Sequence, residues 1–241
     1  MLRTIFWLTW LVGYFISCLP TKWKAIRLGK QGKTEERKKL IEKRVGHWGR
    51  LLLRYIKVDV TVEGKENLPE PGKTVVFVSN HQSYMDIPLL LGYLDKPHAL
   101  MAKSQLGKIP FLSAWMRLLG CIFVEREDAR AAVASMRQAD ETLKAGDSLI
   151  ICPEGTRSKS DTLNEFKAGA VRIAVKAGVD VIPVAIDGSY RALEGSGWKL
   201  TKCKVRLVIL PAVPTKDLDR AEQKELPKKL EDMVRAAKDA R

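Results

Sequence analysis

The 241-residue sequence predicts an α/β fold, a mainly parallel mixed sheet flanked by helices, on three observations. Short apolar runs at Thr74 to Ser79, Ser148 to Cys152 and Val181 to Ile186 alternate with stretches of helical period. The runs are apolar at successive positions, as in strands covered on both faces. Glycines at 146 and 178 stand where the intervening helices should stop.

At the amino end, Thr4 to Leu19 form an apolar run that as a helix would reach about 24 Å, short of a roughly 30 Å hydrocarbon core. No small-x-small cleavage site follows it, so it reads as retained rather than as a signal peptide. Trp7, Trp10, Tyr14 and Trp23 suit the headgroup boundary of a bilayer. Between Pro20 and Val58 stand thirteen basic residues and three glutamates, which supply +10 of the chain's +14 net charge. Thr34 is a candidate N-cap there, and Ile41, Val45, Trp48, Leu52 and Tyr55 then recur at helical spacing. Residues 1–57 are therefore expected to be an apolar and a basic amphipathic helix lying on an anionic membrane surface at the cytoplasmic face.

A compact domain is expected from 58 to 241. It opens with the alternating strand from Val58, followed by a Pro/Gly loop and the strand Thr74 to Ser79. Helices at Ile87 to Leu94 and around Phe111 to Leu119 precede a strand at Cys121 to Val124. Asp128 then caps a helix carrying Val133, Met136, Asp140 and Leu143 on one side. After the strand Ser148 to Cys152 come a helix from Phe166 to Ala177 and strands at Val181 to Ile186 and Val205 to Leu210. A terminal helix holds Leu226, Leu230, Met233, Val234 and Ala237. The four cysteines include no C-x2-C pair, so neither a zinc site nor a disulfide framework is expected.

Three polar clusters each follow directly on an apolar strand: N-H-Q-S-Y-M-D after Ser79, E-R-E-D after Val124 and P-E-G-T-R-S after Cys152. Parallel strands would bring all three to one sheet edge, where open α/β sheets bind ligands. His81 is a candidate general base, and Asp86 a carboxylate to orient its ring. Five residues along one helix would turn the two side chains about 140° apart, so they meet only with His81 on the loop and Asp86 in the first helical turn. The competing reading is that Ser83 and Asp86 merely cap that helix. Gly155 after a strand allows backbone N–H groups to converge on an anion, and Arg157 offers a planar fork for phosphate oxygens. Thr156 adds a hydroxyl and Arg126 a second phosphate candidate, while Glu154 is placed to orient an arginine. Lys103 carries little signal by itself.

Taken together, N-H-x4-D, the G-C-I-F-V-E-R run, P-E-G-T-R-S and the V-I-P-V strand around Pro183 resemble, in order and spacing, the four motifs of the glycerolipid acyltransferases. The resemblance covers Val58 to Leu210 and implies a His81–Asp86 catalytic dyad. It further implies that Arg126, Glu154, Gly155, Thr156 and Arg157 bind the phosphoglycerol of the acceptor, with Lys103 near that phosphate. Lys167 and Gly169 match a further F-K-x-G feature, whereas Cys152 departs from the bulky residue usual before Pro-Glu-Gly and reads as a small core residue. The implied reaction carries a fatty acyl group from acyl-CoA or acyl carrier protein to the hydroxyl of lysophosphatidic acid, with no metal or other cofactor. A thioester or lipid hydrolase is the rival enzyme reading. A nucleic-acid-binding module is not expected, because aromatic residues are not interleaved with the basic ones for base stacking.

Overall fold

A computed structural model describes residues 9, 13–125 and 129–240. Seven strands form one sheet: β1 (Val58–Glu63), β2 (Val75–Ser79), β3 (Ala99–Lys103), β4 (Ile122–Val124), β5 (Leu149–Ile151), β6 (Asp180–Asp187) and β7 (Cys203–Ile209). Their spatial order is β1-β7-β6-β2-β5-β3-β4. Strands β2 to β6 run parallel, whereas β7 is antiparallel to β6 and parallel to β1. The sheet is thus mixed but mainly parallel, as its apolar strands predict. Strand β2 is buried at every residue, consistent with cover on both faces.

The helices are α1 (Leu19–Lys30), α2 (Thr34–Tyr55), α3 (Asp86–Tyr93), α4 (Leu112–Leu118), α5 (Ala129–Lys144), α6 (Ala168–Ala177) and α7 (Arg220–Asp239). One face of the sheet packs with α2 and α3 around Leu53, Ile56, Phe77, Leu90 and Ile182. The other face packs with α5, α6 and α7 around Val76, Ala139, Leu149, Val181 and Leu230. Helix α7 opens with a complete capping box between Asp219 and Glu222. Gly178, with φ of 64°, closes α6 at the expected position.

Several sequence expectations change. Strand β3 was not anticipated, because Ala-Leu-Met-Ala-Lys favours helix by propensity; pairing with β5 and β4 overrides that preference. Thr34 is the first helical residue of α2 rather than its cap, and Lys33 in the cap position makes no side-chain capping bond. On α5, Asp140 and Leu143 of the expected side are buried, together with Ser135 and Ala139, whereas Val133 is 69% exposed. The expected cap at Asp128 lies outside the described residues.

The apolar stripe of α2 does not face outward. Ile41, Val45, Leu52 and Leu53 are buried, and Ile41, Val45 and Leu53 share one core with the sheet. The crossing with α3 is close enough that a Cβ at Gly49 would sit 2.5 Å from the Pro88 carbonyl oxygen. Packing therefore runs across the boundary at residues 57 and 58, and the charged face of α2 is what remains outside. Ahead of it, Ile16 and Trp23 are exposed. No helix among the described residues is long and apolar enough to cross a membrane. Trp7, Trp10 and half of the apolar run from Thr4 to Leu19 fall outside the described residues.

Candidate active site

The site is built where β2 ends. Asn80 pegs that end to the neighbouring strand, accepting from Ile186 N at 2.7 Å and donating to Ile186 O at 2.9 Å. The chain leaves as a loop and enters α3 at Asp86, whose backbone N–H bonds back to Ser83 O. This loop-then-helix path lets His81 and Asp86 meet. His81 Nδ1 lies 2.7 Å from Asp86 Oδ2, the Asp86 side chain is fully buried, and the ring keeps 17% of its surface exposed. The same Oδ2 accepts from Gln82 N at 2.7 Å and Ser83 N at 2.9 Å, so helix-entry capping and the His–Asp pair coexist. The Ser189 hydroxyl donates to Oδ1. With Nδ1–H directed at a carboxylate, Nε2 is the ring nitrogen left to accept a proton.

The P-E-G-T-R-S turn after β5 lies beside this loop. Ser158 N donates to His81 O at 2.8 Å and Lys159 N to Gln82 O at 3.1 Å. Glu154, 2% exposed, reaches under the loop. Its Oε1 accepts from His81 N at 2.5 Å, and its Oε2 from Asn164 N at 3.1 Å and Asn164 Nδ2 at 2.6 Å. Burial pushes its carboxyl above the ordinary value, opposed by those N–H donors. Glu154 thus fixes the backbone carrying the histidine. Gly155 adopts φ of 71°, a left-handed backbone that its lack of a Cβ permits, and Thr156 is exposed beside it.

The carboxylate that holds Arg157 is Glu194. Its Oε1 lies 2.6 Å from Arg157 Nη1, and its side chain is 3% exposed. Glu194 also accepts from Ser83 Oγ at 2.5 Å and Tyr84 N at 3.0 Å, while the guanidinium stacks 3.4 Å from the Tyr84 ring centroid. The segment after β6 therefore grips both the dyad, through Ser189, and the arginine, through Glu194. Gln82 Oε1 accepts from Gly188 N at 3.0 Å and ties that segment to the catalytic loop. Neither Ser189 nor Glu194 was foreseen, since a serine and a glutamate in a loop carry no distinguishing spacing. Asn164 is equally silent in the sequence.

Lys103 ends β3 on the same carboxyl edge, exposed, two strands from β2. Arg126 lies outside the described residues. Cys152 is half-buried at the end of β5. Among the described residues no group of three His, Cys, Asp or Glu is placed to hold a metal ion.

A family model described as acyltransferase matches residues 59–187, just over half of the chain. The chain belongs to the acyltransferase family. The family match contains His81, Asp86, Lys103, Arg126 and the whole P-E-G-T-R-S turn, and stops just before Ser189 and Glu194.

Among acyltransferase relatives, the chloroplastic 1-acyl-sn-glycerol-3-phosphate acyltransferase of Arabidopsis thaliana is 38% identical over 151 residues, covering 62% of this chain and 42% of its own. The 1-acyl-sn-glycerol-3-phosphate acyltransferase of Pseudomonas aeruginosa is 34% identical, covering 63% and 58%. The match thus spans well under two thirds of these relatives. The crystal structure of the 1-acyl-sn-glycerophosphate acyltransferase PlsC from Thermotoga maritima matches with a TM-score of 0.78 and 34% identity, covering 97% of this chain and 96% of that one. That acyltransferase therefore shares the N-terminal helices as well as the sheet.

Proposed function

We propose that this acyltransferase moves a fatty acyl group from an acyl thioester to the free hydroxyl of lysophosphatidic acid, giving phosphatidic acid for phospholipid synthesis. The observation that carries the reading is the partly exposed His81 ring, held at 2.7 Å by a fully buried carboxylate and flanked by a cation. An alcohol is a poor nucleophile toward a thioester at neutral pH, and imidazole is the base suited to that range. His81 Nε2 takes the hydroxyl proton as the oxygen attacks the thioester carbon. The tetrahedral intermediate then collapses, and the thiolate leaves as a thiol with the proton held by the imidazolium. Asp86 keeps the ring oriented and faces the positive charge during that interval. Backbone N–H groups near the loop are the natural donors to the oxyanion.

In this reading Lys103, Arg126, Gly155, Thr156 and Arg157 receive the acceptor's phosphate. Arg157 gives one donor to Glu194 and retains others in its planar fork. Glu154 supports the site from beneath. Acyl-CoA or acyl carrier protein serves as donor, both being acidic partners for a chain of +14 charge. Residues 1–57 attach the enzyme to an anionic membrane surface and 58–241 perform the transfer. The similarly named relatives and the T. maritima structure support this choice of acceptor.

The test is an assay of purified protein against both donors, with lysophosphatidic acid, glycerol 3-phosphate or water as acceptor. Phosphatidic acid should form only with lysophosphatidic acid, and His81→Ala should lower the rate by at least about a thousandfold with the fold intact. Free fatty acid formed equally fast without an acceptor would favour the hydrolase.

A further inference from the structure

Beside the catalytic loop stands an aromatic feature that neither the dyad nor the phosphate residues use. After β6 the chain makes two short turns, Ser189–Ala192 and Glu194–Ser196, and then raises Trp198 out of the fold, 58% exposed. Trp198 has φ of 64° and follows Gly197 at 61°, so two consecutive residues are left-handed. That backbone is ordinarily left to glycine, so a bulky residue there occupies a strained position. The knuckle is firmly made: Trp198 N donates to Leu193 O at 2.9 Å and Thr201 N to Ala192 O at 3.0 Å. Its indole lies 6.3 Å from the ring of Tyr84, itself 48% exposed, and Tyr84 stacks on Arg157. The pair is therefore at the rim of the site.

Cations predominate among the exposed side chains of these segments. Lys159 on one side of the catalytic loop, and Lys199 and Lys202 on the other, are exposed and form no ion pair among the described residues. Of the acids nearby, Glu194 is buried under Arg157 and Asp161 is paired with Lys238. Exposed indole and phenol rings with exposed, unpaired lysines in the same segments match the headgroup layer of an anionic bilayer, where amphipathic rings and cations both gain.

We infer that Trp198 and Tyr84, with Lys159, Lys199 and Lys202, form a membrane-docking rim that seats the mouth of the site on an anionic bilayer, separately from the N-terminal helices. The inference rests on the proposed lipid acceptor, whose acyl tail stays in the bilayer while its hydroxyl reaches His81. A rim gripping the interface shortens the path by which the acceptor leaves the bilayer.

Trp198→Gly is the informative variant, because glycine relieves the left-handed strain while removing the ring, so the loop is retained. With long-chain lysophosphatidic acid in vesicles of equal phosphatidylglycerol and phosphatidylcholine, its KM should rise about tenfold. Its kcat/KM for a short-chain, water-soluble lysophosphatidic acid should match the wild type, and Trp198→Phe should restore most of the vesicle KM. A wild-type KM on vesicles would overturn the inference, as would an equal loss on the soluble acceptor. A raised KM for acyl carrier protein alone would overturn it in favour of a carrier-docking surface. If the wild type transfers to neither acceptor, the proposed reaction fails instead. The rim is then judged by sedimentation with the same vesicles, where Trp198→Gly binding as the wild type does would reject it.

Discussion

Asp86 receives four donors, from His81, Gln82, Ser83 and Ser189, and three of them lie within five residues of it in the chain. The bonds from His81 and Ser83 were legible, because a loop entering a helix at that spacing brings ring, backbone and carboxylate together. The fourth comes from more than a hundred residues away and was not. Ser189 is 1% exposed, so its hydroxyl has little recourse to water and its bond to Asp86 fixes one carboxylate oxygen. We expect Ser189→Ala to keep the fold and the KM for acceptor while lowering kcat roughly ten- to a hundredfold, the worth of one hydrogen bond to a charged group. Steady-state kinetics beside a thermal melt checks this, and an unchanged kcat would remove Ser189 from the positioning set. At Arg157 the sequence indicated a cation beside a glycine turn, but not that Glu194 and Tyr84 hold it.

At the scale of elements, the strands on apolar runs and the helix stops at Gly146 and Gly178 could be read directly, since they depend on local burial and local backbone freedom. Strand β3 could not, because its residues favour helix and only the places beside β5 and β4 make it a strand. Helix α2 shows a related ambiguity. An amphipathic basic helix looks alike whether its apolar stripe meets lipid or protein, and here the stripe lies on α3 and the sheet. The close crossing is set by Gly49, whose neighbour across the gap is backbone rather than a movable side chain. Gly49→Ala should therefore destabilise the protein by about 1–3 kcal/mol, read as a lowered urea midpoint, although alanine is the better helix former. A midpoint equal to or above the wild type would show that the two helices separate freely.

For the molecule as a whole, the mainly parallel sheet turns three sequence-distant segments into one site, and Glu154 links that site to stability. Its folded carboxyl titrates above its unfolded value of about 4.3, so within that window the folded state holds the proton more tightly. Stability then falls as pH rises through the window and is level above it. Relative to Glu154→Gln, the wild type should lose stability from about pH 4 upward, as measured by urea unfolding across pH; a pH-independent difference would contradict the shift. By itself the sequence determined the α/β class, the periodic elements and the basic amino-terminal region, which rest on spacing along a few turns of chain, and its resemblance to the glycerolipid acyltransferases singled out His81 and Asp86. The tertiary structure alone decided the place of β3, the inward face of α2 and the grip of Ser189 and Glu194 on the site. Those depend on which strands become neighbours, and pairing between segments a hundred residues apart leaves no periodic trace in either one.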